Sequence, residues 1–161
     1  MNNRKTYALM LSLCMWCLVS HADRFGGAIP IQYSPERVLD VETIALDIVL
    51  DPITKTVQGT STITGTTLRA LSEVVLHAGP MTIRSITYQG IKTSWRRKGQ
   101  ELRVSVPRTS RGKRVSLTVD YSVQPTRGMY FVEPDAAYPT RPTQAWTQGE
   151  AQDNRFWYPS W

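Results

Sequence analysis

Arg114-Val115-Ser116-Leu117-Thr118-Val119-Asp120-Tyr121-Ser122-Val123 alternates apolar and polar residues without a break. A period of two sends Val115, Leu117, Val119, Tyr121 and Val123 to one face and the polar residues to the other. That is a strand with one dry side and one wet side. Working upstream, Ser110-Arg111-Gly112-Lys113 reads as a hairpin loop, and Leu102, Val104 and Val106 face inwards before Pro107 ends their strand. Ile91 to Arg97 reads as one strand between turns at Gln89-Gly90 and Lys98-Gly99-Gln100. Met81 and Ile83 are out of phase with Ile86 and Tyr88, which predicts a bulge near Arg84-Ser85.

Further towards the N-terminus, Glu73 to His77 is a buried strand, and Leu68 to Ser72 a connector with a helical turn. Ile44, Leu46, Ile48 and Leu50 share a strand face; after the turn at Asp51-Pro52 the chain returns through Val57, Gly59, Ser61, Ile63 and Gly65. The interleaved Thr60, Thr62 and Thr64 suit a wet face. No segment sustains a helical period. The expectation is an all-β fold, an antiparallel saddle-shaped sheet or sandwich of about seven to nine strands without long helices.

The N-terminus reads differently. Arg4 and Lys5 precede an apolar run from Tyr7 to Val19, and Ser20-His21-Ala22 offers small residues for cleavage. Residues 1–22 are therefore expected to be a signal peptide, too short to anchor in a bilayer, with export to the periplasm or outside the cell. Residues 23–35 are an extended lead-in, 36–142 the β-domain and 143–161 a closing loop. Both cysteines, Cys14 and Cys17, fall in the signal, so the exported chain has no disulfide and relies on its apolar core.

Removing Arg4 and Lys5 lowers the formal net charge from +6 to +4. The basic residues between Arg96 and Arg114 read as solvated strand edges; few aromatics interleave with them, which argues against a nucleic-acid partner. Beyond the signal, His77 is the only histidine, and neither a zinc-ligand motif nor a nucleophile–histidine pair is present. Glu150 and Asp153 are a weak carboxylate pair. No catalytic residue, metal ligand or cofactor is expected on this chain, which should be inactive alone.

The closing loop is the exception. Gln148 and Glu150 stand two apart, so in an extended segment they project the same way, and a carboxylate with an amide can hold an ammonium group. Spacing alone favours the plainer alternative, a solvated glutamate and a backbone-capping glutamine.

The strand pair of Val41 to Ile63, Gly128-Met129-Tyr130-Phe131, Thr147-Gln148-Gly149-Glu150-Ala151 and Phe156-Trp157-Tyr158-Pro159-Ser160-Trp161 resemble the N-terminal domain of the aminopeptidase N family of zinc metallopeptidases. The resemblance implies a saddle-shaped β-domain ahead of a zinc-bearing catalytic domain. It also implies that Glu150 binds the free α-amine of a peptide substrate and that Gln148 lines the pocket for its first residue. The zinc motif and the exopeptidase motif of that family are missing, so the chain reads as a fragment whose partner is an absent C-terminal catalytic domain. Phe156, Trp157, Tyr158 and Trp161 are then expected to form an exposed seam to that domain. The alternative is a stand-alone secreted β-sandwich acting as a binding or adaptor module.

Overall fold

The computed structural model describes residues 37–161; the signal reading of 1–22 and the lead-in 23–35 lie outside the described residues. β1 (Leu39–Asp51) and β2 (Thr56–Thr67) form the long hairpin, followed by β3 (Leu71–His77), β4 (Thr82–Tyr88) and the two-residue β5 (Ile91–Lys92). Then come β6 (Trp95–Lys98), β7 (Glu101–Thr109), β8 (Arg114–Val123), β9 (Met129–Val132) and β10 (Gln144–Thr147). The described residues contain no α-helix; Asp153–Phe156 is a single 3-10 turn.

All strand pairs are antiparallel. They make a five-stranded sheet in the order β1-β2-β8-β4-β5, a three-stranded sheet β3-β7-β6, and a two-stranded sheet of β10 and β9. β8 lies in the middle of the largest sheet because its apolar face is unbroken. Val115, Leu117, Val119 and Tyr121 are all wholly buried. Leu117, Val119 and Tyr121 join Val57 and Ile63 of β2 and meet Val74, Leu76, Leu102 and Val104 of the smaller sheet in one core. Two sheets packed through alternating apolar faces account for the all-β class.

The wet face of β2 is organised as expected: Thr62 Oγ1 lies 3.0 Å from Thr118 Oγ1 of β8, and the hydroxyls of Thr43 and Thr64 are in contact. β1 is the edge strand. Its Leu46 and Ile48 pack on the core, while Ile44 and Leu50 stay more than a third exposed. The Arg84-Ser85 bulge is present as a register shift between Ile83 and Ser85. The Gln89-Gly90 turn is also present, both residues having positive φ.

Four local expectations need correction. Ile91 to Arg97 is two strands in different sheets: Thr93 N still donates to Ile86 O (3.0 Å), whereas Ser94 O already accepts from Ser105 N of β7 (2.9 Å). The Ser110–Lys113 loop is a crossing between sheets and no hairpin. Thr67 holds it there, its Oγ1 donating to Ser110 O (2.7 Å) and accepting from Lys113 N (2.9 Å), while its carbonyl accepts from Gly112 N (2.7 Å). Pro107 does not end β7, because the register shift between Leu71 and Glu73 leaves its missing N–H out of the ladder. Leu68 to Ser72 holds no helical turn; β3 begins at Leu71. With the 91–97 strand divided and β10 added from the closing stretch, the described residues hold ten strands against the seven to nine expected.

Part of the basic cluster is paired within the fold. Arg96 and Arg103 reach Glu73 at 2.6 and 3.0 Å, Arg103 reaches Glu101 at 2.8 Å, and Arg114 reaches Glu42 at 3.1 Å. Arg97 is exposed like its neighbours but is also anchored to backbone. It donates to the carbonyls of Ala78 and Gly79 (2.9 Å each) and Met81 (3.0 Å), holding the β3–β4 connection in place.

Candidate amine-binding site

The closing stretch is more structured than a loop. β10 pairs with β9, setting Trp146 opposite Tyr130, and the two rings stack at 4.6 Å between centroids. Gln148 N donates to Gly128 O at 3.0 Å, carrying the pairing one residue further. There the chain leaves the sheet and turns, and Asp153 N closes the turn on Gly149 O at 3.1 Å.

Two glycines and an asparagine hold this turn. Gly128 has φ +81°, and a Cβ there would stand 2.2 Å from Asp153 O. A Cβ on Gly149 would stand 2.4 Å from Asn154 Oδ1. Asn154 in turn accepts from Trp157 Nε1 through Oδ1 (3.2 Å), and from the Trp157 and Tyr158 amides through its carbonyl (3.1 Å each). The turn can therefore close only where side chains are absent and where Asn154 is fixed from behind.

The segment beyond it is sewn onto the main core. His77 and Ser160 exchange two backbone hydrogen bonds of 2.8 Å, Gly79 N donates to Arg155 O (2.6 Å), and Ser61 Oγ donates to Pro159 O (2.9 Å). Phe156 and Trp157 are 8% exposed, and Tyr158 and Trp161 pack against the core as partly buried rings. This overturns the exposed aromatic seam. The rings have partners in this same domain: Arg127 sits over the Phe156 ring at 4.1 Å, Trp157 and Tyr158 meet edge to face at 4.4 Å, and Trp157 belongs to the core cluster.

Gln148 and Glu150 both emerge exposed from the turn. They do not sit on an extended strand; the structure relates them instead through Gln148 Oε1, 3.4 Å from Glu150 N. That contact is long, so the amide remains largely available. The Glu150 carboxylate has no hydrogen-bond or ion-pair partner among the described residues. Asp153, the other half of the weak carboxylate pair, faces Arg127 at 3.8 Å. Among the described residues no three His, Cys, Asp or Glu side chains are grouped to hold a metal, so the residues present do not fit a zinc ion.

A family model, the peptidase M1 N-terminal domain, matches residues 29–161. The chain belongs to that family. The M1 zinc metallopeptidase of Deinococcus radiodurans, solved as a mutant with a Tyr-Ser-Ala substrate, matches with TM-score 0.61 and 24% identity over 77% of this chain. Leukotriene A4 hydrolase from Saccharomyces cerevisiae matches with TM-score 0.60 and 13% identity over 76% of it. At such identities the likeness is one of fold. This chain spans 29% and 21% of those two structures, less than a third of either. No curated protein matches the chain.

In this M1 N-terminal domain the His77 backbone bridges to Ser160, and its Nδ1 is buried with no hydrogen-bond partner among the described residues. Burial, and then the charge of Arg155, push its pKa below the ordinary value, against the opposing pull of Glu101. The folded state thus takes up the proton less readily than the unfolded chain. His77 adds no proton-linked penalty at pH 7.5 and destabilises the fold as pH falls through the unfolded value of about 6.5. Urea unfolding between pH 7.5 and 5.5 should show stability falling faster in the wild type than in His77→Gln; parallel curves would refute the burial argument.

Proposed function

We propose that this chain supplies the amine-recognition face of an exported M1-type zinc aminopeptidase. In this reading the Glu150 carboxylate receives the α-ammonium of a peptide, and the Gln148 amide borders the first side chain. The observation that carries it is the unpaired, exposed carboxylate of Glu150 on a turn clamped by Gly128, Gly149 and Asn154. A carboxylate with no cation of its own, carried on a clamped turn, can receive an ammonium without first breaking an ion pair. Membership of the M1 family supports the peptide substrate class and zinc chemistry in a catalytic domain. This chain's own residues would bind and orient the peptide terminus and would carry out no bond cleavage. The apolar run from Tyr7 to Val19 supports export.

In the complete enzyme Glu150→Gln should raise KM and lower kcat for substrates with a free amine. A hydrogen bond to a charged group contributes about 1.5–3 kcal/mol, so kcat/KM should fall by roughly 10- to 100-fold. Unchanged kinetics would remove Glu150 from the site.

The burial of Phe156 and Trp157 favours a second reading, a secreted module that binds peptide termini on its own, because the closing segment completes this domain's core. A monomeric, dye-silent chain in solution would support it; self-association through the closing segment would oppose it.

A further inference from the structure

The three-stranded sheet carries a charged row at one end. His77 closes β3 opposite Glu101, which opens β7, and Lys98 closes β6 opposite the same Glu101. Directly opposed residues project to one face, so these three positions share it. Arg155 comes to the same place from the 3-10 turn, whose backbone is fixed where Gly79 N donates to Arg155 O (2.6 Å). His77, Lys98, Gln100, Glu101, Arg103 and Arg155 together line a cleft of about 330 Å³. Its far side is held as well, since Ala78 N donates to Gln100 O (2.7 Å) and ties the β6–β7 turn to the end of β3.

The charges in this cleft do not cancel. Arg103 takes Oε2 of Glu101 through both Nε (3.1 Å) and Nη2 (2.8 Å). Lys98 is left with no hydrogen bond or ion pair among the described residues. Arg155 meets only the neutral Gln152, at its carbonyl (3.2 Å) and its Oε1 (2.5 Å). His77 Nδ1 is buried without a partner. Two uncompensated cations from separate elements, an amide and an imidazole thus border one space. That donor set suits a tetrahedral dianion, whose oxygens can take the ammonium, the guanidinium and the amide from different directions.

We propose that the cleft between His77, Lys98 and Arg155 binds a phosphate group, either the free ion or a monoester. The inference stands apart from the amine reading of Glu150, and neither depends on the other.

The test titrates this chain at pH 7.5 with sodium phosphate, glycerol phosphate, sodium acetate and sodium chloride at matched ionic strength, following the His77 imidazole and the Arg155 Nε–H by NMR. Phosphate should move both signals with half-saturation at about 1 mM. Acetate and chloride should move neither. Tighter binding of glycerol phosphate supports a monoester site, and equal binding supports a site for the free ion. Lys98→Gln and Arg155→Gln should each raise the half-saturating concentration about tenfold. Arg111→Gln removes the same charge from an exposed position outside the cleft and should leave binding unchanged. Lys98 is exposed on β6, so its variant reads out binding even if Arg155→Gln disturbs the 3-10 turn. Bound phosphate should also raise the His77 pKa by about one unit, because a new negative charge is added opposite Lys98 and Arg155 while the Glu101–Arg103 pair stays as it is. Equal shifts with chloride or acetate would reduce the effect to screening of surface charge and overturn the proposal. So would a His77 ring that phosphate leaves unmoved, or an Arg111→Gln variant weakened as much as Lys98→Gln.

Discussion

Trp157→Ala is expected to lower stability by about 3–5 kcal/mol, the largest single effect in the domain. The indole is 8% exposed and belongs to the core cluster with Val57, Leu76 and Met129. Its Nε1 also donates to Asn154 Oδ1, so truncation leaves both a cavity and an amide oxygen that has lost its donor. Trp146→Ala is the matched control, because half of that indole is already in water; it should cost about 1 kcal/mol or less. Urea unfolding of both variants decides the matter. Similar losses would mean that the closing aromatics form a surface seam after all.

Gly128→Ala should cost about 2–4 kcal/mol. Two causes add: a φ of +81° that an L side chain adopts only with strain, and a Cβ placed 2.2 Å from the carbonyl oxygen of Asp153. That oxygen is backbone, so no change of rotamer relieves the clash. The turn must move, taking Gly149 and Asn154 with it. Hydrogen exchange at the Asp153, Trp157 and Tyr158 amides should therefore quicken along with the loss of stability. Gly112→Ala separates the two causes, having φ +76° but nothing within 4 Å of its Cβ; it should cost only about 1 kcal/mol. A Gly128→Ala variant no worse than Gly112→Ala would show that the turn is not clamped at this point.

The strands that were legible in the sequence are those whose side-chain alternation coincides with full burial. The run from Val115 to Val123 is the clearest, and the phase break at Arg84-Ser85 marks its bulge correctly, because parity is a local property of the chain. What escaped was everything decided by distant partners. No period marks the crossing at Thr93-Ser94; it depends on Ile86 lying in one sheet and Ser105 in the other. The Ser110–Lys113 loop has hairpin composition, yet Thr67, a residue forty-odd positions away in sequence, makes it a crossing. Arg97 is a surface charge, as its composition suggests, but its anchoring to three carbonyls of the β3–β4 connection has no local signal.

The candidate site was legible in identity but not in geometry. Gln148 and Glu150 are the residues that the turn exposes, yet the extended spacing first used to align them is absent. The surrounding rings carry no period, so nothing local distinguishes Trp146, which stays half open, from Trp157, which is buried. Pairing of β10 with β9 makes the first distinction, and the His77–Ser160 bridge makes the second. One signal was available: Gly128 and Gly149 flank segments that approach a neighbouring chain closely, where a Cβ does not fit.

The account depends most on Glu150 receiving a free amine. The direct measurement is a titration of this chain and its Glu150→Gln variant with alanine amide and N-acetylalanine amide, followed at the backbone amides of Gly149 and Glu150. The account predicts that the wild type responds to the free amine alone, and that Glu150→Gln raises the half-saturating concentration about tenfold or more. Equal responses to the free and acetylated compounds, or an unaltered response in Glu150→Gln, would contradict it.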